Sequence, residues 1–270
     1  MFKIIYENLS KTTPIIHVIT NYVTVNDCAN IILASKASPI MSDEIEDVED
    51  ILKFSQCLVI NIGTLNKRTV ESMIYAGKIA NKLKISVVLD PVGAGATEFR
   101  NETVKKLLNE VQFSVIKGNA SELKFLASNI NNTSGVDVAE ADIINDNNLE
   151  SNIKLFKRLS NQTKSVIVST GVIDIITDGN NTYIVKNGSE MMSGITGTGC
   201  MLGCVIACYI ASNKNHLLKA TTFAVGAMGL AGERAEQNCD GNGSYKVALI
   251  DAMSTLNYQT LKEGVKVEIF

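Results

Sequence analysis

A cysteine stands where a glycine-rich turn is predicted to become a helix. In "ITGTGC" the Gly-Thr-Gly turn at 197–199 comes directly before Cys200, and the apolar run 201–211 follows. The first backbone N–H groups of a helix have no partner inside the helix, and the helix dipole makes that end positive. Such a turn aims several N–H groups at one point, which suits a phosphate or a transition-state oxyanion.

Other polar side chains follow three predicted strands. Asp90 ends "VVLD" and is followed by "PVGAGAT", Lys117 ends "SVIK" and precedes Asn119 and Glu122, and Thr170 ends "VIVST". Ligands of open parallel sheets bind beyond the carboxyl ends of the strands. We therefore expect these side chains and the turn before Cys200 to share one edge of a sheet.

Phosphoryl transfer is the chemistry that this set of residues favours. It requires Mg²⁺, which carboxylates hold, often through water, and Asp90 and Glu122 are the acidic candidates. Lys117 supplies a cation for the phosphates. The sequence has no GxxxxGK[ST] segment, so it does not predict a Walker P-loop.

The elements that must position these residues alternate along the chain. Strands are predicted as almost continuous apolar runs, which are typical of a parallel sheet buried on both faces, at 14–20, 57–63, 85–90, 113–118 and 165–170. Residues 67–84 have helical periodicity, and "TDGNNTYIV" at 177–185 is typical of a hairpin. The pattern predicts a doubly wound, mostly parallel three-layer α/β/α fold.

Composition narrows the class of protein. The chain has 270 residues, 46% hydrophobic and 20% charged, so it is predicted to be globular, as a single domain over 1–270. A net charge of −3 argues against nucleic acid or an anionic membrane as partner. The first residues contain no apolar segment typical of a signal peptide, and we expect a cytoplasmic enzyme. The Asn- and Asp-rich segment 129–152 is expected to be a surface excursion.

Two local patterns have an ordinary structural explanation. None of the six cysteines has metal-ligand spacing, and Cys204 and Cys208, one and two turns after Cys200, are expected to face the core. A second glycine-rich turn, "GNGSY" at 241–245, fits a helix start with a serine cap as well as it fits a ligand loop.

The order and spacing of five segments resemble the hydroxyethylthiazole kinase family of the ribokinase-like superfamily. These segments are "TNYVT" (20–24), "ASPIM" (37–41), "DPVGAGAT" (90–97), "GNASE" (118–122) and "TGTGC" (196–200). The combination of "ASPIM" with "GTGC" is the specific feature. The resemblance implies a ribokinase-like fold, ATP, Mg²⁺, and phosphorylation of the primary alcohol of 5-(2-hydroxyethyl)-4-methylthiazole in thiamine salvage.

The resemblance also implies a role for each matching residue. It implies a catalytic turn of Gly197, Thr198, Gly199 and Cys200, with Cys200 in the position of the catalytic base. The implied thiazole contacts are Met41, Gly197, Asn21, Gly63 and Val92. The implied nucleotide contacts are Lys117, Thr170 and Asn119, and the implied magnesium ligands are Asp90 and Glu122. The resemblance further implies a homotrimer with active sites at the subunit boundaries.

One departure from the family pattern and three competing functions remain. The family usually has arginine where this chain has Lys117, which keeps the charge but loses the bidentate fork. A nucleotide-dependent hydrate dehydratase or another small-alcohol kinase could share this fold, although a dehydratase is expected to carry aspartate in place of Cys200. A catalytically idle nucleotide-binding regulator is disfavoured by the intact set of Asp90, Glu122 and the glycine turn.

Overall fold

The computed structural model describes residues 2–129 and 144–270, and within them the strands form one mixed sheet in the order β2-β1-β3-β4-β5-β6-β7-β8-β9. The strands are β1 (Ile15–Ile19), β2 (Ser38–Met41), β3 (Cys57–Asn61), β4 (Ser86–Asp90), β5 (Val115–Asn119), β6 (Val166–Thr170), β7 (Asp174–Thr177), β8 (Thr182–Val185) and β9 (Val267–Ile269). Strands β1 to β6 are parallel, and β7 to β9 continue the sheet antiparallel.

Helices cover both faces of this sheet. One apolar core is shared with α1 (Phe2–Thr12), α2 (Val25–Ala34), α8 (Thr198–Ala211), α9 (Leu217–Glu236), α10 (Asn242–Thr255) and α11 (Tyr258–Gly264). The opposite core is shared with α3 (Ile45–Leu52), α4 (Lys67–Lys82), α5 (Glu98–Glu110), α6 (Ala120–Asn129) and α7 (Leu149–Thr163). The three-layer α/β/α prediction is confirmed.

The strands are buried on both faces because their side chains alternate between the two cores. In β3, Cys57 and Val59 enter the core of α8, while Leu58 and Ile60 enter the core of α4. Every residue of β3 is buried, which explains its continuous apolar sequence. None of the helices in the described ranges combines the length and apolarity needed to cross a lipid bilayer.

Several predicted elements need correction. Two strands were missed: β2 contains Pro39, is only half-buried and lies at the sheet edge, and β9 is three residues long and largely exposed. Lys117 lies inside β5 instead of ending it. The predicted excursion 129–152 lies mostly outside the described residues, and its last four residues are wrongly assigned because they form the first turn of α7.

Candidate active site

The start of α8 presents backbone donors without a side-chain cap. Gly197 is the N-cap residue, with a φ of 95° and a ψ of −5°, and Met201 N donates to its carbonyl oxygen at 2.8 Å. Among the described residues, the amide nitrogens at 198–200 donate no hydrogen bond. A Cβ at position 197 would lie 2.8 Å from Thr24 Cγ2, so both the backbone angle and the close approach require glycine.

Cys200 is the third residue of α8, and its thiol is half-buried. Asn21 Nδ2 donates to Cys200 Sγ at 3.3 Å. Burial raises the pKa of the Cys200 thiol, and the nearby Asp90 carboxylate raises it further. These effects outweigh the neighbouring groups that lower it, so the thiol is protonated at neutral pH. Cys204 and Cys208 are fully buried, as expected from the sequence.

A buried ion pair lies under the α8 turn. Lys117 Nζ donates to Asp90 Oδ1 at 3.1 Å, and the exposed fractions of these residues are 4% and 1%. Burial alone would lower the pKa of Lys117, but Asp90 and Glu122 together raise it, so the ammonium stays charged. A Cβ at Gly199 would lie 3.2 Å from Lys117 Nζ. The cation is therefore next to the uncapped amides of α8.

Asn61, which the sequence analysis did not select, connects the thiol to this ion pair. Its Oδ1 accepts from Asn21 Nδ2 at 3.0 Å, and its Nδ2 donates to Asp90 Oδ2 at 2.8 Å. A continuous chain of hydrogen bonds thus runs from Cys200 through both asparagines and Asp90 to Lys117. The available signal was a polar residue ending the apolar strand "CLVIN", in register with Asp90.

Glu122 uses both carboxylate oxygens to hold backbone. Its Oε2 accepts from Asn119 N and its Oε1 accepts from Gly93 N, each at 2.8 Å. In return, Asn119 Oδ1 accepts from Glu122 N at 2.9 Å, which completes a capping box at the start of α6. The Glu122 charge also raises the pKa of Asp90, although burial of Asp90 has the larger effect and Lys117 opposes both.

The two carboxylates provide a limited set of metal ligands. Across residues 2–129 and 144–270, no group of three or more His, Cys, Asp or Glu side chains is arranged to hold a metal ion. Mg²⁺ commonly takes only one or two carboxylates and fills its other positions with water and substrate phosphate. Each oxygen of Asp90 and Glu122 already accepts a hydrogen bond from the protein, so these carboxylates suit an ion such as Mg²⁺, held largely through water and substrate phosphate, better than a metal with an all-protein cage.

The remaining predicted residues differ in how closely they join this cluster. A Cβ at Gly63 would lie 2.9 Å from Asn21, and the Arg100 side chain links the carbonyl of Gly63 to that of Val92. Thr170 ends β6 opposite Asn119 in the sheet register. Met41 ends β2 beside β1, and no recorded hydrogen bond of the described residues joins it to the chain from Cys200 to Lys117.

Comparison with known proteins identifies the family. The model of the hydroxyethylthiazole kinase family matches residues 6–259, which is most of the chain. This chain belongs to the hydroxyethylthiazole kinase family. It is 50% identical over 273 residues to the hydroxyethylthiazole kinase of Clostridium acetobutylicum, with 100% of each sequence covered.

Solved structures agree with this membership of the hydroxyethylthiazole kinase family. The hydroxyethylthiazole kinase protein of Pyrococcus horikoshii OT3 has a TM-score of 0.89 and 34% identity, with 99% of each chain covered. The pyridoxal kinase of Staphylococcus aureus in complex with AMP-PCP and pyridoxal has a TM-score of 0.61 and 12% identity over 95% of this chain and 98% of that chain. The second likeness shows a shared fold only, which is the expected ribokinase-like fold.

Proposed function

We propose that the chain transfers the γ-phosphoryl group of ATP to the primary alcohol of 5-(2-hydroxyethyl)-4-methylthiazole, in thiamine salvage. The observation that carries this proposal is the uncapped start of α8, with its thiol, directly beside the Lys117 ammonium. Membership of the hydroxyethylthiazole kinase family supports the choice of acceptor. The positive end of a helix next to a buried cation suits a transferring phosphoryl group.

The proposed reaction depends more on the backbone amides of the α8 turn than on a general base. The alcohol oxygen forms a bond to the γ-phosphorus while the bond from that phosphorus to the β–γ bridging oxygen breaks, and ADP leaves. The hydroxyl proton is lost to solvent. The amides of 198–200 stabilise charge on the γ-phosphoryl oxygens, and each donor of this kind contributes roughly 3 kcal/mol. A loose transition state needs little base strength, which agrees with a protonated Cys200.

Asp90 and Glu122 are the proposed magnesium ligands. Their donor set fits an ion that keeps water and phosphate oxygens in its shell. When bound, Mg²⁺ neutralises negative charge on the phosphates. Lys117, Thr170 and Asn119 are the proposed nucleotide contacts. The proposed thiazole contacts are Asn21, Met41, Gly63, Val92 and Gly197.

The proposal is tested by coupled detection of ADP release with three samples: the thiazole alcohol, a pyrimidine alcohol, and no acceptor. Release that depends on the thiazole alcohol and on Mg²⁺ is the expected result. Release with the pyrimidine alcohol alone would overturn the assignment of the acceptor. A folded chain that releases no ADP in any sample would overturn the kinase function.

We also propose that the 1–270 kinase domain assembles as a homotrimer with active sites at subunit boundaries, in the cytoplasm. The apolar side chains of Tyr22 and Val23, directly after Asn21, are 80% and 56% exposed, which supports burial by a second copy. Sedimentation is expected to give a trimer whose activity falls on dilution. A fully active monomer would contradict the assembly.

A further inference from the structure

One arginine joins the two loops that follow β3 and β4. Arg100 lies in the first turn of α5, and its side chain reaches back to the sheet edge. Its Nη1 donates to the carbonyl oxygens of Ile62 at 2.5 Å and Val92 at 2.6 Å, and its Nη2 donates to that of Gly63 at 2.8 Å. A single guanidinium therefore fixes three carbonyl groups from two different loops.

The guanidinium donates its hydrogen bonds to neutral backbone carbonyl groups. In the described part of the chain, no carboxylate lies within ion-pair distance of Arg100. Its planar fork of five N–H donors can meet carbonyls that diverge in space, whereas a lysine has one nitrogen with three donors. Removing the fork would leave these carbonyls to find other partners.

The backbone of the second loop is shaped around this side chain. Gly93 has a φ of 73°, and a Cβ at that position would lie 3.1 Å from Arg100 Cδ. The neighbouring amide of Gly93 donates to Glu122. Glycine thus lets the loop pass close to the arginine while its N–H points to the acidic side of the site.

These loops also carry predicted thiazole contacts. Gly63 and Val92 are two of them, and Gly63 N donates to Asn61 Oδ1 at 2.9 Å. The hydrogen bonds of Arg100 therefore hold together the two loops that carry these proposed contacts. They also fix the position of the loops relative to the hydrogen-bond network that ends at Cys200. A displacement of about 1 Å in such positioning costs up to roughly 100-fold in rate.

We propose that Arg100 is a positioning residue for the acceptor alcohol, acting through the carbonyl groups of Ile62, Gly63 and Val92. This proposal rests on the proposed kinase function. Arg100 does not touch the reacting atoms. It holds the acceptor pocket in shape, whereas none of its hydrogen bonds goes directly to the nucleotide contacts at β5 and β6.

The test compares Arg100→Lys and Arg100→Ala with wild type by steady-state kinetics and thermal melting. The KM for the thiazole alcohol is expected to rise in the order wild type, Lys, Ala, by roughly tenfold or more for Ala. The KM for ATP is expected to stay close to wild type. Added guanidinium chloride at millimolar concentration should restore part of the acceptor KM in Arg100→Ala.

Arg158→Ala, on the exposed face of α7, is the matched control and should leave both constants unchanged. Equal increases of both KM values together with a lower Tm would overturn the proposal and make Arg100 a general stabilising residue. Unchanged constants in a folded Arg100→Ala would overturn it as well. A wild-type chain without kinase activity would overturn the proposed function first, and this inference with it.

Discussion

The starts of helices α8 and α6 differ in what accepts hydrogen bonds from their first backbone amides. At α6, Asn119 and Glu122 exchange hydrogen bonds with each other's backbone amides, so the helix supplies its own anion. At α8, Gly197 offers no side chain, and the amides of 198–200 have no acceptor among the described residues. Both helix starts lie beside the Asp90–Lys117 pair.

The difference shows where an external anion can bind. A capped helix start has its donors and dipole already satisfied by its own side chains, whereas an uncapped one attracts a phosphate or a developing negative charge. The start of α6 is thus capped by a carboxylate of the protein itself, whereas the start of α8 has backbone donors available for a substrate anion.

Gly197→Ala is expected to have the largest effect. An alanine must adopt a φ of 95° and would place its Cβ 2.8 Å from Thr24 Cγ2, so the turn will rearrange and misdirect its amides. We expect kcat to fall roughly 100-fold or more, as for the loss of an oxyanion-hole donor. Steady-state kinetics with both substrates saturating measures this.

The matched control is Gly241→Ala at the start of α10. This glycine has a φ of 174°, which any residue adopts, and no atom lies within 4 Å of an added Cβ. Its activity should match wild type. If Gly197→Ala keeps wild-type kcat, the α8 turn does not bind the reacting phosphoryl group.

Glu122→Gln tests the capped helix. A glutamine keeps one acceptor oxygen for the cap but loses the charge, so we expect kcat to fall roughly 100-fold because the proposed metal ligand is no longer anionic. The Tm should also fall, because the amide group of glutamine replaces one of the two acceptor oxygens, and a hydrogen bond to a charged group contributes roughly 1.5–3 kcal/mol.

The control for this cap is Asn257→Ala, which removes the side-chain cap of α11, a helix that carries none of the proposed site residues. It should lower Tm by a similar amount and leave kcat intact. Normal Mg²⁺-dependent turnover in a folded Glu122→Gln would restrict Glu122 to its capping role.

Lys117→Arg is expected to have the smallest effect. An arginine at this position could hold Asp90 and a phosphate oxygen at the same time, so the KM for ATP should fall a few-fold, while the KM for the thiazole alcohol stays constant. Kinetics at varied ATP and then at varied thiazole distinguish the two. A change confined to the thiazole constant would contradict a nucleotide role for this residue.

The fold was predictable wherever burial controls the sequence. Strands β3 and β4 have continuous apolar runs because both faces are covered, and their ends were predicted correctly to within a few residues. Strand β2 was not predicted because Pro39 and partial exposure remove the apolar pattern of a buried strand. Strand β9 was not predicted because three residues at the sheet edge are too few to show a pattern.

Candidate site residues could be selected only where their chemical role follows from the residues next to them in the sequence. Glycine turns and carboxylates after strands can be read from one segment. Asn61 and Arg100 act through partners far along the chain, at Asn21, Asp90 and the loop carbonyl of Ile62. The only local signal for Asn61 is its place at the end of "CLVIN", and this signal does not reveal its partners. The three-residue spacing of Asn119 and Glu122 does indicate a helix cap, but the sequence analysis interpreted the Glu122 carboxylate only as a metal ligand.

The central claim is that the amides of α8, and not a basic thiol, carry most of the catalysis. It is tested by kcat of wild type, Cys200→Asp, Cys200→Ser and Cys200→Ala between pH 7 and 9 with saturating ATP and thiazole alcohol. The pKa of the Cys200 thiol lies above its ordinary value because of burial and Asp90. A thiolate base would therefore make wild-type kcat rise about tenfold per pH unit across this range.

We expect a nearly flat wild-type profile, an active Cys200→Asp, and a fall in Cys200→Ala smaller than the roughly 10²–10⁴-fold contribution of a general base. Cys200→Asp could exceed wild type because an aspartate is ionised at these pH values. A steep rise of wild-type kcat with pH, together with a Cys200→Ala variant that loses more than that range, would contradict the claim. An inactive Cys200→Asp beside Ser and Ala variants equal to wild type would reduce Cys200 to a packing residue.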